Sequence, residues 1–102
     1  MSRFFSILQL RSAPQARDEA LTAFIANGVL EQCRDAIPGF VGGALMKSLH
    51  QPEAACVLVE WRDEDAYQDW MNSPLRGGDP RKRLFDPPGR SHLFELAHQL
   101  LR

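Results

Sequence analysis

Residues 54–67 read Ala-Ala-Cys-Val-Leu-Val-Glu-Trp-Arg-Asp-Glu-Asp-Ala-Tyr, and this stretch decides the fold. Residues 54–62 are mostly apolar and contain two valines, which is typical of a buried β-strand. Three acidic residues follow at once, and Asp63 is suited to cap a helix because a carboxylate accepts hydrogen bonds from the free amides of the first turn. The stretch therefore predicts a strand that leads directly into a helix.

The sequence on either side extends this unit into a hairpin and a short helix. Residues 40–49 predict another strand, with Gly42-Gly43 inside it, and only a turn around Pro52 separates it from the strand at 54–62. Because the connection is short, the two strands are expected to pair antiparallel. The helix ends at residues 72–74, and its apolar stripe consists of Ala66, Tyr67, Trp70 and Met71.

The N-terminal third predicts a strand followed by one long helix. Residues 4–10 are apolar at both alternating positions, as in a strand that is covered on both faces. The helix is predicted from about residue 15 to Pro38-Gly39, with a weak point at Asn27-Gly28. Its apolar residues recur every four positions and are Leu21, Ile25, Val29, Cys33 and Ile37.

The C-terminal part predicts a last strand. Residues 75–89 are rich in glycine, proline and charge, with one helical turn expected around 81–85. Residues 92–101 alternate as a strand does, although a helix is the alternative because leucines at 93, 96 and 100 also fit a helical period.

The order β-α-β-β-α-β predicts an α+β, ferredoxin-like fold, with a four-stranded antiparallel sheet and both helices on one face. The other face of that sheet would carry exposed apolar residues. Two such sheets that face each other form a closed dimeric α+β barrel, so a homodimer is expected.

The composition is that of one small globular domain, predicted to span residues 1–102. Its 12 basic and 13 acidic residues give a net charge of −1, which argues against a dedicated nucleic-acid-binding protein. No apolar run suits a membrane span, and Ser6 and Gln9 interrupt the apolar N-terminal segment, so a cytoplasmic protein is expected. Cys33 and Cys56 are expected to be reduced thiols, and the three histidines lack the spacing of a metal site.

The small net charge conceals two oppositely charged segments. Residues 60–69 hold five acids and one base, a net charge of −4, whereas residues 76–90 hold five bases and two acids, a net charge of +3. One interpretation is complementarity between the subunits of a dimer. Another is a positive mouth that attracts anionic or phenolate substrates.

Three segments carry a family resemblance, namely Ile-Pro-Gly-Phe-Val-Gly at 37–42, the stretch at 57–67, and Trp70 with Ser73-Pro74. Together they are similar to the antibiotic biosynthesis monooxygenase family of dimeric α+β barrels, and the resemblance extends over about residues 3 to 100. It implies the fold derived above but leaves the reaction open. The family includes cofactor-independent oxygenases, haem-degrading oxygenases and members without known activity.

In the branch that oxidises polyketide anthrones or quinols, the resemblance implies catalytic roles for Trp61, Tyr67 and Arg81. Trp61 and Tyr67 match in type and spacing, and Arg81 lies where an ungapped alignment puts the arginine. The asparagine of this branch falls on Val57, whose side chain cannot form a hydrogen bond. In this scheme Arg81 stabilises the substrate anion and Tyr67 hydrogen-bonds the oxygen being ionised, while Trp61 and Trp70 enclose the ring.

The haem-degrading branch implies a tryptophan, an iron-binding histidine and an asparagine. Trp70 matches, but the histidine position falls near Asp79-Pro80 and the asparagine position near Ile7. We therefore expect no cofactor, with haem as the alternative. His92 and His98 are candidates for substrate binding and for the missing base, because an imidazole titrates near neutral pH.

Every candidate also has an interpretation without a ligand. The two tryptophans, Tyr67 and the two histidines suit a core or an interface, and Arg81 lies in a basic run of the kind that solvent usually covers. Two functions follow. The first is a cofactor-independent monooxygenase that oxidises a small aromatic or quinol-type substrate with O₂, without nucleic-acid or membrane partners. The second is a non-catalytic dimeric barrel that binds a small hydrophobic ligand, or, as a further alternative, a divergent haem-degrading monooxygenase.

Overall fold

The fold consists of one antiparallel sheet with helices packed on one face. A computed structural model describes residues 3–76 and 84–102. The strands are β1 Phe4–Arg11, β2 Phe40–Lys47, β3 Ala54–Trp61 and β4 His92–Glu95, and the helices are α1 Arg17–Ala26, α2 Val29–Ala36 and α3 Glu64–Met71, with a 3-10 turn at Pro14–Ala16. The sheet order is β2-β3-β1-β4, and every neighbouring pair is antiparallel. This confirms the predicted α+β, ferredoxin-like arrangement.

The sheet has one packed face and one open face. Val57, Val59 and Trp61 alternate along β3 on the packed face, where they join the core with residues of α2 and α3. The residues between them point the other way, so Leu58 lies on the open face with its pairing partner Ile7. We use "open face" for the apolar set on that side, which is Phe5, Ile7, Ala44, Met46, Leu58 and Phe94.

The predicted long helix is two helices. Asn27 caps the end of α1, and Gly28 has a φ of 64°, a left-handed conformation that breaks the helical hydrogen-bond pattern before α2 begins. The weak point that the sequence predicted as a kink is therefore a full break. It occurs at the one described glycine with positive φ, because glycine adopts this conformation without a steric penalty.

Two other predicted boundaries also differ from the structure. The strand expected over residues 92–101 is β4 alone, and residues 96–102 have no regular secondary structure. The last residue of β4 lies opposite the first residue of its antiparallel partner β1, because Glu95 pairs with Phe4. The helical turn expected around residues 81–85 falls largely on residues 81–83, which lie outside the described residues.

Helix α3 is seated very close to the sheet. Asp63 caps it as predicted, and its carboxylate accepts a hydrogen bond from the Ala66 amide at 2.9 Å. Gly39 permits the close approach, because a Cβ at that position would lie 2.5 Å from the Ala66 Cβ. The cap and the glycine together fix the helix that carries Tyr67 and Trp70.

None of the helices in the described residues has the length and hydrophobicity needed to cross a membrane.

Candidate functional site

An aromatic cluster between the sheet and α3 contains three of the predicted site residues. Trp61 lies at its centre with 1% of its surface exposed. The ring of Phe40 meets Trp61 edge-on, with 5.9 Å between centroids, and Tyr67 does the same at 6.1 Å. Phe4 packs against the Tyr67 ring at 6.2 Å. Phe4 is far from Trp61 and Tyr67 along the chain, but the pairing of β1 with β3 and the short link from β3 to α3 bring their rings together.

Tyr67 and Trp70 lie one helical turn apart on α3 and are 7% and 9% exposed. Within residues 3–76 and 84–102, neither the Tyr67 hydroxyl nor the Trp70 indole N–H has a hydrogen-bond partner. The fully buried side-chain polar atom without a partner in that part of the chain is Arg17 Nε. The two side chains are buried, and their polar ends have no hydrogen-bond partner among the described residues.

Ser6 is a member of the cluster that the sequence did not single out. Its side chain is 6% exposed, and its hydroxyl accepts a hydrogen bond from the Trp61 indole N–H at 2.9 Å. The signal was present in the sequence, because Ser6 is the polar member of an alternating set in β1 that otherwise consists of Phe4, Leu8 and Leu10. A polar residue at a core-facing position requires a partner, and that partner is 55 residues away.

The predicted histidines are exposed, unlike the buried rings of this cluster. His92 pairs with Ile7, so it is on the same side of the sheet as the open face, and it is exposed. His98 is exposed in the segment after β4. Arg81, the third predicted catalytic residue, lies outside the described residues. Among the residues that the structure describes, the predicted set that comes together is therefore Trp61, Tyr67 and Trp70.

Two positions that the family branches associate with asparagine are filled differently. Val57 is 7% exposed and part of the apolar core, so it places no amide near the aromatic rings. Ile7 points to the open face, and its neighbour Ser6 is the residue that faces the cluster. A hydroxyl on β1 thus occupies the inward-facing position.

The ionised groups near the site form local pairs. Arg3 donates two hydrogen bonds to the carboxylate of Glu60, at 2.6 and 2.7 Å, and these bonds hold the pKa of Glu60 below its usual value. The amide of Ala66 lowers the pKa of Asp63 in the same way. Both carboxylates are therefore ionised at neutral pH and are unsuited to donate a proton in catalysis.

The cysteines are free thiols with different surroundings. Cys33 is buried in the core, and burial raises its pKa to about 12, so it stays protonated at neutral pH. Cys56 is half-buried and lines a cavity of about 190 Å³ at the hairpin end of the sheet, together with Gln9, Met46 and Gln51. This cavity is on the side of the sheet opposite the aromatic cluster, as the pleat places Cys56 next to Val57 but facing the other way.

Neither candidate histidine is among the buried residues of the aromatic cluster. His92 faces away from the cluster, and His98 is exposed in the C-terminal segment. Among the described residues no three His, Cys, Asp or Glu side chains are grouped as metal ligands.

Comparison with known proteins agrees with this geometry. A sequence model described as antibiotic biosynthesis monooxygenase matches residues 3–76. The chain is similar to the haem degrader MhuD from Mycobacterium tuberculosis, with two haems bound in its active site, at 21% identity over 95% of this chain and 98% of that chain, with a TM-score of 0.75. It is also similar to SnoaB, a cofactor-independent oxygenase from Streptomyces nogalater, at 21% identity over 99% and 98%, with a TM-score of 0.67.

A third similar structure is a conserved protein from Methanosarcina mazei Go1, at 16% identity over 92% of both chains, with a TM-score of 0.65. A search of curated protein sequences gives no match. At these identities the structural similarity establishes the fold, and two similar structures with this fold differ in their use of haem.

Proposed function

Because the chain belongs to the antibiotic biosynthesis monooxygenase family, we propose that it is a cofactor-independent monooxygenase. Its substrate is a small, electron-rich aromatic of the anthrone or quinol type, and its oxidant is O₂. The observation that carries the proposal is the pair of aromatic tips on α3, the Tyr67 hydroxyl and the Trp70 indole N–H.

These tips suit a flat substrate that bears an oxygen. Both side chains are more than nine-tenths buried, and their polar ends have no hydrogen-bond partner in the described chain. A binding site of this kind offers apolar contact to a ring and hydrogen bonds to its oxygen substituent. Tyr67 therefore donates to the oxygen that becomes charged, and Trp70 borders the substrate ring.

The chemistry balances without an external reductant. When a ring CH₂ becomes a carbonyl, the carbon gives up four electrons and O₂ takes up four. One oxygen atom becomes the carbonyl oxygen, and the other leaves as water with the two hydrogens. The protein's part is to favour the substrate anion, because a fixed donor in a dry site stabilises developing charge strongly. Arg81 is proposed as the cation that assists Tyr67.

Oxygen uptake tests this proposal. Protein freed of metals by EDTA is mixed with 1,4-dihydroxynaphthalene, dithranol and related hydroquinones, and consumption above the protein-free rate is expected with at least one. Tyr67→Phe keeps the ring contacts with Phe4 and Trp61 but removes the hydroxyl, so a roughly 100-fold lower kcat/KM is expected at unchanged thermal stability. Binding of the substrates without any uptake would refute the proposal.

One observation favours a second function, a barrel that binds a small hydrophobic ligand without turnover. Val57 fills the position that the quinol-oxidising branch gives to asparagine, and it is buried in the core. Tryptophan fluorescence would report ligand binding under either function, so it cannot distinguish them. Oxygen uptake separates the two functions, because only the monooxygenase consumes O₂. A haem titration completes the test, since a stoichiometric Soret shift would show haem binding that the described histidines do not explain.

We also propose that the working unit is a homodimer formed through the open face. Phe94 is 53% exposed and Met46 43% exposed, and both lie on a sheet face that no described helix covers. A second sheet packed on this face would remove these side chains from water and complete a barrel. Sedimentation at micromolar concentration is expected to give a dimer.

A further inference from the structure

Ser6 and Trp61 form a buried hydrogen-bonded pair that the proposed chemistry does not use directly. We propose that Ser6 is a positioning residue of the proposed oxygenase site: its hydrogen bond fixes the Trp61 ring, and the Trp61 ring fixes the Tyr67 hydroxyl. This inference rests on the proposed function for its catalytic consequence.

The pair is isolated from water on both sides. Ser6 is 6% and Trp61 1% exposed, and the indole nitrogen lies 2.9 Å from the serine oxygen. Ser6 pairs with Val59 across the sheet, so an apolar core surrounds the two polar atoms. Because each polar atom satisfies the other, the removal of the serine hydroxyl leaves a buried N–H without a partner.

The bond determines the orientation of the Trp61 ring. An indole can rotate about its side-chain bonds, and the Ser6 oxygen accepts from its N–H in one orientation. In that orientation the ring plane of Trp61 makes an angle of 73° with that of Tyr67 and of 85° with that of Phe40, so both contacts are edge-on. A rotated indole would lose the hydrogen bond and both edge contacts together.

The fixed Trp61 ring in turn restricts the position of Tyr67. Its ring contacts Trp61 and Phe4, and its hydroxyl has no hydrogen-bond partner in the described chain. Trp61, at 1% exposure, acts on a substrate through Tyr67 rather than by contact. Small displacements of a group that binds a reacting atom reduce rates strongly, so a shift of the Tyr67 hydroxyl lowers kcat/KM by roughly 10-fold.

The chain offers a selective test, because Tyr67 is its single tyrosine. Protein made with ring-labelled tyrosine gives NMR signals from that ring alone. Ser6→Ala is expected to shift these signals and to speed hydrogen exchange at the Trp61 indole N–H by about 10-fold or more.

Ser12→Ala is the matched control. Ser12 is also buried, at 7% exposure, but its hydroxyl donates to the Ala13 carbonyl at the other end of the β1 region. It should leave the Tyr67 ring signals unchanged. Unchanged Tyr67 signals in Ser6→Ala would overturn the inference, whatever the effect on stability.

A double-mutant cycle links the pair to turnover. Trp61→Phe retains a ring but has no N–H, so Ser6→Ala is expected to have little further effect on kcat/KM in that variant. An equal loss in both proteins would show that Ser6 acts independently of Trp61 and would also overturn the inference.

Trp61→Phe removes the same bond from the other side, so it replaces Ser6→Ala in the NMR test where the serine variant does not fold. If no substrate is oxidised, the proposed function fails, and the NMR result still decides the positioning role.

Discussion

At the scale of single residues, the cap of α3 is the contact that most directly holds the site-bearing helix. Asp63 accepts from the Ala66 amide at 2.9 Å, and Ala66 lies next to Tyr67. Asp63→Ala is expected to lower the free energy of unfolding by about 1 kcal/mol, because the amide loses its acceptor. Asp63→Asn retains an acceptor and should cost much less. Urea unfolding of the two variants measures the difference, and equal losses would contradict the capping role.

The Arg3–Glu60 pair predicts how stability depends on pH. The pKa of Glu60 is lowered in the folded protein, so below about pH 5 the unfolded chain binds a proton first and stability falls as pH falls. Glu60→Gln should flatten the slope between pH 5 and 3, measured from urea midpoints at fixed protein concentration. Glu64→Gln is the control, since Glu64 has no ion-pair partner within the described residues. The same slope in both variants would refute the contribution of this pair.

At the scale of elements, two glycines determine how the helices are placed. Gly39→Ala would put a Cβ 2.5 Å from the Ala66 Cβ, so α3 must move away from the sheet. We expect a loss of about 1–3 kcal/mol, as for other overpacked cores, together with a shift of the Tyr67 ring signals. Gly89→Ala is the control, because no atom lies within 4 Å of its added Cβ. Unchanged Tyr67 signals in Gly39→Ala would contradict the close seating of α3.

Gly28 determines where the first helical region breaks, because its φ of 64° separates α1 from α2. Gly28→Ala forces an L side chain into this conformation and should cost about 1 kcal/mol in thermal or urea unfolding. Gly28→Asn should cost less, since asparagine tolerates the left-handed region. Equal stability of the Ala variant and the parent protein would show that the break needs no glycine.

The elements were predictable from the sequence where burial has a regular period. Four-residue spacing predicted the helical region, and a mostly apolar run with valines predicted β3, which the short turn around Pro52 joined to β2. Exact ends were not predictable, because the alternation at 92–101 continues past Glu95, whereas the strand pairing ends at Phe4 and the Leu96 amide then donates to the carbonyl of Arg3, just ahead of β1. The side of the sheet on which His92 lies depends on its register with Ile7, which is a long-range property of the fold.

The candidate site was predictable only in part for the same reason. Trp61, Tyr67 and Trp70 follow one another along the chain, so the sequence could bring them together. The hydrogen bond from Trp61 to Ser6 joins residues 55 positions apart, and no local pattern encodes it. The histidines were candidates by their chemistry alone; the strand register places His92 on the opposite side of the sheet, and His98 is exposed.

At the scale of the whole molecule, the open face predicts self-association. Phe94→Lys should weaken a dimer by at least about 10-fold, because a second sheet on the open face would bury this aromatic, which is now 53% exposed, and a lysine there would be costly to desolvate. Leu49→Lys is the control, since Leu49 is 87% exposed in the turn between β2 and β3. Sedimentation velocity compares the variants, and a parent protein that is monomeric at micromolar concentration would exclude this dimer.

The most direct test of the central claim follows the oxygen atoms. Metal-free protein is allowed to oxidise dithranol, whose ring CH₂ becomes the new carbonyl group, under ¹⁸O₂, and the product is examined by mass spectrometry after a single turnover. A monooxygenase that uses its substrate as the source of electrons predicts one ¹⁸O atom in the new carbonyl group, one molecule of O₂ consumed per product, and a roughly 100-fold slower reaction for Tyr67→Phe. A product without ¹⁸O, or no consumption of O₂ by substrates that bind, would contradict it.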